Sequence, residues 1–268
     1  MSLYSYGFKT LLSSLALANA LESKMRREDS IIQEPVDTVS IIIPTYNEEE
    51  YIEECLKSLK NQSIIYSYPD YFEYILVDSN SKDKTLELAT PYVNKIIKVG
   101  RGKLTARNLA TLESKGNIIV SVDADCVYPF HWLNTLLKPF NNPNVVASVG
   151  STYDNTVTNL PSQVYMIASS ISRYILNPTQ MVGRNSAYYK HLFYITGMFD
   201  TTINQQNVNE MLKEEEIGFG KKLSNYGLVV YKHNAYTNHL GGQKMACRIG
   251  LDSKMNCNKY KIGIERFG

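Results

Sequence analysis

Three short apolar runs, each stopping at a polar loop, constrain this chain more than any other feature. Val39 to Ile43 is rich in β-branched residues and stops at Pro44, Tyr74 to Val77 stops at Asp78, and Asn117 to Val122 runs straight into Asp123-Ala124-Asp125. Runs of this length and composition read as buried strands. After the first, Asn47 is suited to cap a helix and Glu48 to Glu50 suit its positive end, while Ile52, Cys55, Leu56 and Leu59 recur at helical spacing. After the second, Ser81 is expected to cap a helix carrying Leu86, Leu88 and Ala89, with a short strand near Ile96 to Val99 and a helix over Leu104 to Leu112 behind it. Strands alternating with helices in this way call for βαβ units, hence an α/β fold with a largely parallel sheet flanked by helices. Ligands of such sheets bind outside the carboxyl ends of the strands. The loops Pro44 to Glu48, Asp78 to Asp83 and Asp123 to Asp125 are therefore expected to converge on one crevice.

Beyond this point the pattern is less regular. His131 to Phe140 reads as helix, Val145 to Val149 as strand, Gln163 to Leu176 and Asn209 to Asn225 as helices, and Leu228 to Tyr231 as strand. Neither an internal repeat nor a low-complexity linker divides the chain, and 268 residues suffice for one large core. The expected organisation is an N-terminal helical extension over 1–38, one composite domain over 39–240 with halves at 39–129 and 130–240, and a basic tail over 241–268. With 28 basic and 26 acidic residues, the chain offers no global charge argument for nucleic acid. Locally, six basic residues between Leu240 and Gly268 face only Asp252 and Glu265, which suits a solvated tail or an anionic surface. The apolar cluster Phe8, Leu11, Leu12, Leu15 and Leu17 reads as a docked amphipathic helix, with an interfacial membrane helix as the alternative. No run approaches the roughly 18 apolar residues that span a bilayer. Cys55, Cys126, Cys247 and Cys257 lack disulfide-framework or zinc spacing, so a cytoplasmic protein, with peripheral membrane contact as a variant, is the expectation.

The Asp123-Ala124-Asp125 triplet carries the most chemistry. It holds two carboxylates near each other at the end of a strand, and a divalent cation bridging them to a diphosphate would offset their repulsion. Hard oxygen ligands suit magnesium or manganese. A solvated acidic turn is the competing reading of the triplet alone. His131, His191 and His233 have no partners at metal-ligand spacing, Cys126 shows no nucleophilic relay, and Gly100-Arg101-Gly102 is too short for a dinucleotide fingerprint.

In order from about Val39 to His239, the blocks IIIPTYNEEEYIEECLKSL, ILVDSNSKDKT, Thr105 to Asn108, Asp123-Ala124-Asp125, EEEIGFGKKLSNYG and Ala235 to His239 together resemble a family 2 glycosyltransferase with the Rossmann-like GT-A fold, a mixed, largely parallel sheet flanked by helices. IIIPTYNEEEYIEECLKSL at 41–59 is similar to that family's first strand, loop and helix, where the loop wraps base and ribose; Pro44, Tyr46 and Glu48 are the positions implied. ILVDSNSKDKT at 75–85 resembles its second strand and loop, making Asp78 a nucleoside contact, although Ser79 and Asn80 depart from the usual aspartate and glycine. Thr105-Ala106-Arg107-Asn108 resembles its Ala-Arg-Asn block, which implies that Arg107 contacts the diphosphate or donor. Gly183 to Ser186 and Gly197 to Asp200 resemble the block that shapes the acceptor side. In EEEIGFGKKLSNYG at 214–227, the spacing of Lys222, Leu223 and Gly227 aligns Glu216 with the family's catalytic aspartate and Glu215 with the acidic residue before it; Glu214 is an alternative register. Ala235 to His239 resembles the segment whose histidine helps bind the metal or diphosphate.

The resemblance implies donor binding by Pro44, Tyr46, Glu48, Asp78, Arg107 and Asp123, a cation (Mn2+ or Mg2+) at Asp123, Asp125 and His239, and Glu216 as base. An acceptor hydroxyl on a glycan, protein or small molecule would attack the anomeric carbon of a nucleotide-diphospho-sugar, with inversion. Two rivals stand beside this reading. Transfer to a polyprenyl phosphate at a membrane surface would need no base, because that acceptor is already anionic. A non-catalytic module would bind nucleotide sugar without transferring it.

Overall fold

A computed structural model describes residues 31–154, 179–203 and 213–240; the side chains of Tyr153, Asp154, Lys213 and Glu216 lie outside the described part. The expected N-terminal helix, the helix at Gln163 to Leu176, the start of the helix at Asn209 and the basic tail also lie outside it.

The three apolar runs form strands β1 (Val39–Thr45), β2 (Phe72–Asp78) and β4 (Ile118–Val122), with β3 at Lys95–Lys98. β5 (Cys126–Val127), β6 (Val145–Asp154), β7 (Asn185–Tyr189) and β8 (Leu228–His239) follow. All join one sheet in the order β3-β2-β1-β4-β7-β6-β8-β5. The run β3-β2-β1-β4 is parallel throughout, β7 is antiparallel to both β4 and β6, β8 is parallel to β6, and β5 is antiparallel to β8. The expected mixed, largely parallel α/β sheet is observed.

Continuous burial along β1 and β4 follows from cover on both faces. Ile41, Ile43, Val120 and Val122 point into one core, and Ile42 and Ile119 into the other. Period-two alternation divides the same strands between two layers, so neither shows a polar face in sequence. Each fully buried isoleucine here contributes about 1.5–3 kcal/mol relative to an exposed one. The first layer is closed by helices α1 (Ile52–Lys60) and, further on, Trp132–Leu137. In α1, Ile52, Cys55, Leu56 and Leu59 are buried, Glu53 and Glu54 lie in the first turn, and Lys57 and Lys60 lie in the last, in accord with the helix dipole. The second layer is closed by the helix Lys103–Glu113 through Leu104, Ala106 and Ala110, and by an aromatic group of Tyr188, Phe193, Phe199 and Phe219. Rings in that group pack edge-on at 4.9 to 5.4 Å, apart from the stacked pair Tyr188–Phe193 at 5.7 Å. Among the described residues, no helix is long and apolar enough to cross a membrane.

Two expected helix starts are displaced. Asn47 does not cap α1; it has φ 52° and sits in the loop, and Tyr51 precedes the first helical residue. Ser81 likewise caps nothing, and the next helix begins at Thr85. Their polar side chains serve the crevice loops instead.

Candidate active site

Strand order reverses across β1: β2 follows on one side and β4 on the other, so their carboxyl ends open a crevice at this switch point. Pro44 lies opposite Val77 and Thr45 opposite Asp78 in the β1–β2 register, which puts the first two predicted loops side by side. They are laced together. Ser79 N–H donates to the Thr45 carbonyl at 3.0 Å, Asn47 N–H to Ser81 Oγ at 2.9 Å, Lys82 N–H to Asn47 Oδ1 at 2.8 Å, and Glu48 N–H to Thr85 Oγ1 at 2.8 Å. Asn47 and Asn80 both take positive φ, a conformation asparagine tolerates. Asp78 is buried, and its carboxylate accepts from Ser81 N–H and Oγ, so its first task is to shape the loop. Tyr46 extends from this platform with the Arg101 guanidinium 5.0 Å from its ring centre and hydrogen-bonded to its hydroxyl at 2.7 Å.

The acidic triplet sits where β4 ends. Asp123 meets three cations: Arg107 Nη2 at 2.8 Å from Oδ1, with Lys103 Nζ at 3.0 Å and Arg184 Nε at 3.7 Å from Oδ2. Burial alone would raise the Asp123 carboxyl, but Lys103, Arg107 and Arg184 hold it well below the usual carboxylate range. Asp125 faces His239, whose Nε2 lies 3.1 Å from Oδ2. Burial opposes ionisation of Asp125 too, but the bond from His239 and the charges of His239 and Arg184 together outweigh it, so this carboxyl is also lowered. The three expected metal ligands thus separate into a pair, Asp125 and His239, and a carboxylate turned to cations. Among the described residues, no three His, Cys, Asp or Glu side chains gather as a metal cluster.

His239 reaches Asp125 through an irregular strand. The expected strand at Leu228 to Tyr231 continues to His239. Its register against β6 jumps from Gly150↔Lys232 to Ser151↔Tyr236, leaving His233, Asn234 and Ala235 as a bulge. Beyond it, His239 pairs with Cys126 of β5, and Leu240 N–H donates to the Asp125 carbonyl at 2.8 Å. Asn185 pins the bulge: Nδ2 donates to the carbonyls of Ser151 (2.6 Å) and Ala235 (2.8 Å), and Oδ1 accepts from Trp132 Nε1 at 2.8 Å. A Cβ at Gly150 would meet the Ala235 carbonyl at 2.0 Å, so only glycine fits beneath it.

Arg107, expected to touch the diphosphate, is instead 1% exposed. Besides Asp123, it donates to the Gly183 carbonyl (2.6 Å) and Ser121 Oγ (2.8 Å), and its Nη1 lies 2.7 Å from Glu215 Oε1. Burial would lower its pKa, but Glu215 and Asp123 more than compensate and raise it, so it stays charged. The partly exposed cations at Asp123 are Lys103 and Arg184, neither of which the sequence reading placed there. Lys103 opens the helix that carries Arg107, and an N-terminal lysine beside Gly102, at φ 139°, is the signal that could have found it.

Glu214 to Glu216 fall in a π-helical turn, Lys213–Gly218, which leads into the helix Phe219–Ser224. Glu214 is tied to Lys222 Nζ at 3.0 Å, and Glu215 is buried against Arg107. The Glu216 side chain, assigned the role of base, lies outside the described residues.

The family model described as glycosyl transferase family 2 matches residues 40–200. The chain is 38% identical over 103 residues to the glycosyltransferase AglE of Haloferax volcanii, covering 35% of this chain and 33% of that protein. It is 33% identical over 121 residues to the dolichol-phosphate mannosyltransferase of Pyrococcus furiosus, covering 43% and 33%. These matches span about a third of the length of either relative. Among solved structures, the mannosyltransferase PcManGT from Pyrobaculum calidifontis, in complex with GDP-Man and Mn2+, superposes with a TM-score of 0.59 at 19% identity, over 94% of this chain and 78% of that one. Staphylococcus aureus TarS 1-349 superposes at 0.59 and 18% identity, over 84% and 68%. At such identities the likeness concerns the fold, which is the GT-A arrangement.

Proposed function

The chain belongs to glycosyl transferase family 2, and on that premise we propose that it moves a sugar from a nucleotide-diphospho-sugar to an acceptor hydroxyl, with inversion at the anomeric carbon. The observation that carries this reading is the meeting of Asp125 and His239, 3.1 Å apart, at the end of β4 beside the laced loops. A carboxylate oxygen and an imidazole nitrogen are donors that would suit a divalent cation, Mn2+ or Mg2+, so Asp125 and His239 are the residues that would hold it. When bound, such an ion would stabilise the leaving nucleoside diphosphate without protonation. GDP-Man and Mn2+ in the complex of the Pyrobaculum calidifontis enzyme support the same assignment.

The chain's own groups divide the remaining work. The half at 39–129 binds the donor: Pro44, Tyr46 and Glu48 with Asp78 form the wall for base and ribose, and Asp123 stands at its inner end. Lys103 and Arg184, each with 30% side-chain exposure, present positive charge to the diphosphate. The half at 130–240 presents the acceptor, and Glu216 takes its hydroxyl proton as the new bond forms.

The test is a panel of nucleotide sugars, followed by thermal shift and nucleotide release with and without manganese, on the wild type and Asp125→Ala. One donor is expected to stabilise the wild type only with metal, and turnover is expected to fall about 1,000-fold in the variant. Nucleotide release by the variant at the wild-type rate would defeat the assignment. Similarity to a relative named dolichol-phosphate mannosyltransferase favours a second reading, transfer to a polyprenyl phosphate at a membrane surface. Glu216→Gln separates the two, since an anionic acceptor needs no base and turnover would persist.

A further inference from the structure

The buried guanidinium of Arg107 joins the two halves of the site. On one side it holds Asp123 Oδ1 at 2.8 Å, and on the other it lies 2.7 Å from Glu215 Oε1, in the residue just before Glu216. Resting on the glycosyltransferase reading above, we infer that Arg107 and Glu215 are a positioning pair that sets the turn carrying Glu216 in register with the donor carboxylate Asp123.

Several features bind that turn to Arg107. Glu215 is 2% exposed, and neither of its oxygens accepts a well-formed hydrogen bond among the described residues. The ion pair is therefore what offsets a buried negative charge. Its carboxylate lies so close to Gly183 that a Cβ there would meet Oε1 at 2.4 Å, while the Gly183 carbonyl accepts from Arg107 Nη2 at 2.6 Å. The turn, the segment at Gly183 and the end of β4 thus converge on one side chain. Four residues after Glu215, Phe219 is locked between Tyr188 (4.9 Å) and Phe199 (5.0 Å), so the turn is anchored at its far end by apolar packing and at Glu215 by charge. A carboxylate released from Arg107 would leave this packing intact and free only the turn. A displacement of about one ångström there suffices for a loss of about 100-fold in turnover.

Donor KM, kcat and thermal unfolding would be measured for the wild type, Arg107→Lys, Glu215→Gln and the double variant. Glu215→Gln is expected to fold, to keep donor KM within about threefold and to lose kcat about 100-fold; the double variant should be no slower than the worse single, as for groups acting as one unit. If Arg107→Lys fails to fold, the KM and kcat split in Glu215→Gln decides alone. A folded Glu215→Gln with wild-type kcat overturns the inference while leaving the glycosyltransferase reading in place, as does a kcat loss that merely tracks the unfolded fraction. Losses that multiply in the double variant do the same. A wild type that releases nucleotide from no sugar donor defeats the underlying reading and this inference with it.

Discussion

The two ends of the sheet are built on different principles. From β3 through β2 and β1 to β4 the strands are parallel and in unbroken register, and apolar side chains alternate between two layers. From β7 through β6 and β8 to β5 directions are mixed, the register slips twice between β6 and β8, and a polar side chain, Asn185, holds the second of these irregularities. Regular hydrophobic alternation can place a backbone anywhere along a sheet. Placing one imidazole beside one carboxylate takes a defect in that regularity, and a defect needs a hydrogen-bonded clamp such as Asn185.

The sharpest way to break this contrast is to strike the residue that both ends share. Arg107→Met leaves Asp123 and Glu215 buried without their cation and is expected to cost about 3–5 kcal/mol in denaturant unfolding, with both ends losing hydrogen-exchange protection. A smaller effect, confined to one end, is expected of Asn185→Ala. It strands the Trp132 N–H and the carbonyls of Ser151 and Ala235, costs about 2–3 kcal/mol and should raise amide exchange at the end of β8 while sparing β1 and β2. If exchange rises equally in β1, the ends are not independent. The smallest effect belongs to Ser81→Ala. Removing the hydroxyl that accepts from Asn47 N–H and donates to Asp78 should cost about 1 kcal/mol and weaken nucleotide binding with little change near His239.

What was legible in the sequence follows the same division. The strands around Ile41, Ile75 and Val120 and the acidic end of β4 could be read because buried parallel strands are continuous apolar runs. Asn47 and Ser81 were misread as helix caps, since residues that bond to the local backbone suit caps and turns alike, and sequence cannot show that these two bond to each other's loops. The reach of β8 to His239 was missed because His233, Asn234 and Ala235 interrupt its alternation. The resemblance makes Arg107 a diphosphate or donor contact, and its spacing from Leu104, Ala110 and Thr111 puts it on the buried face of its helix. That signal was present, and weighing it would have turned attention to Lys103, one turn earlier. The partnership of Arg107 with Glu215, more than a hundred positions away, has no local trace.

The bulge in β8 also keeps a parity. Side chains along a strand alternate between faces, so an insertion of odd length that joined the ladder would exchange the faces of everything beyond it. Three residues separate Lys232 from Tyr236, and the residues from Tyr236 to His239 therefore show the opposite face from the one they would take if those three were paired in the ladder. Ser151 follows Gly150 directly on β6, so Tyr236 already holds the ladder position next to Lys232, and joining the two by removing all three residues would leave His239 opposite Asp154 on the face it has now. The face of the imidazole is thus set by the ladder and not by the count of residues before it, and the three extra residues lengthen the chain there without turning His239 away from Asp125.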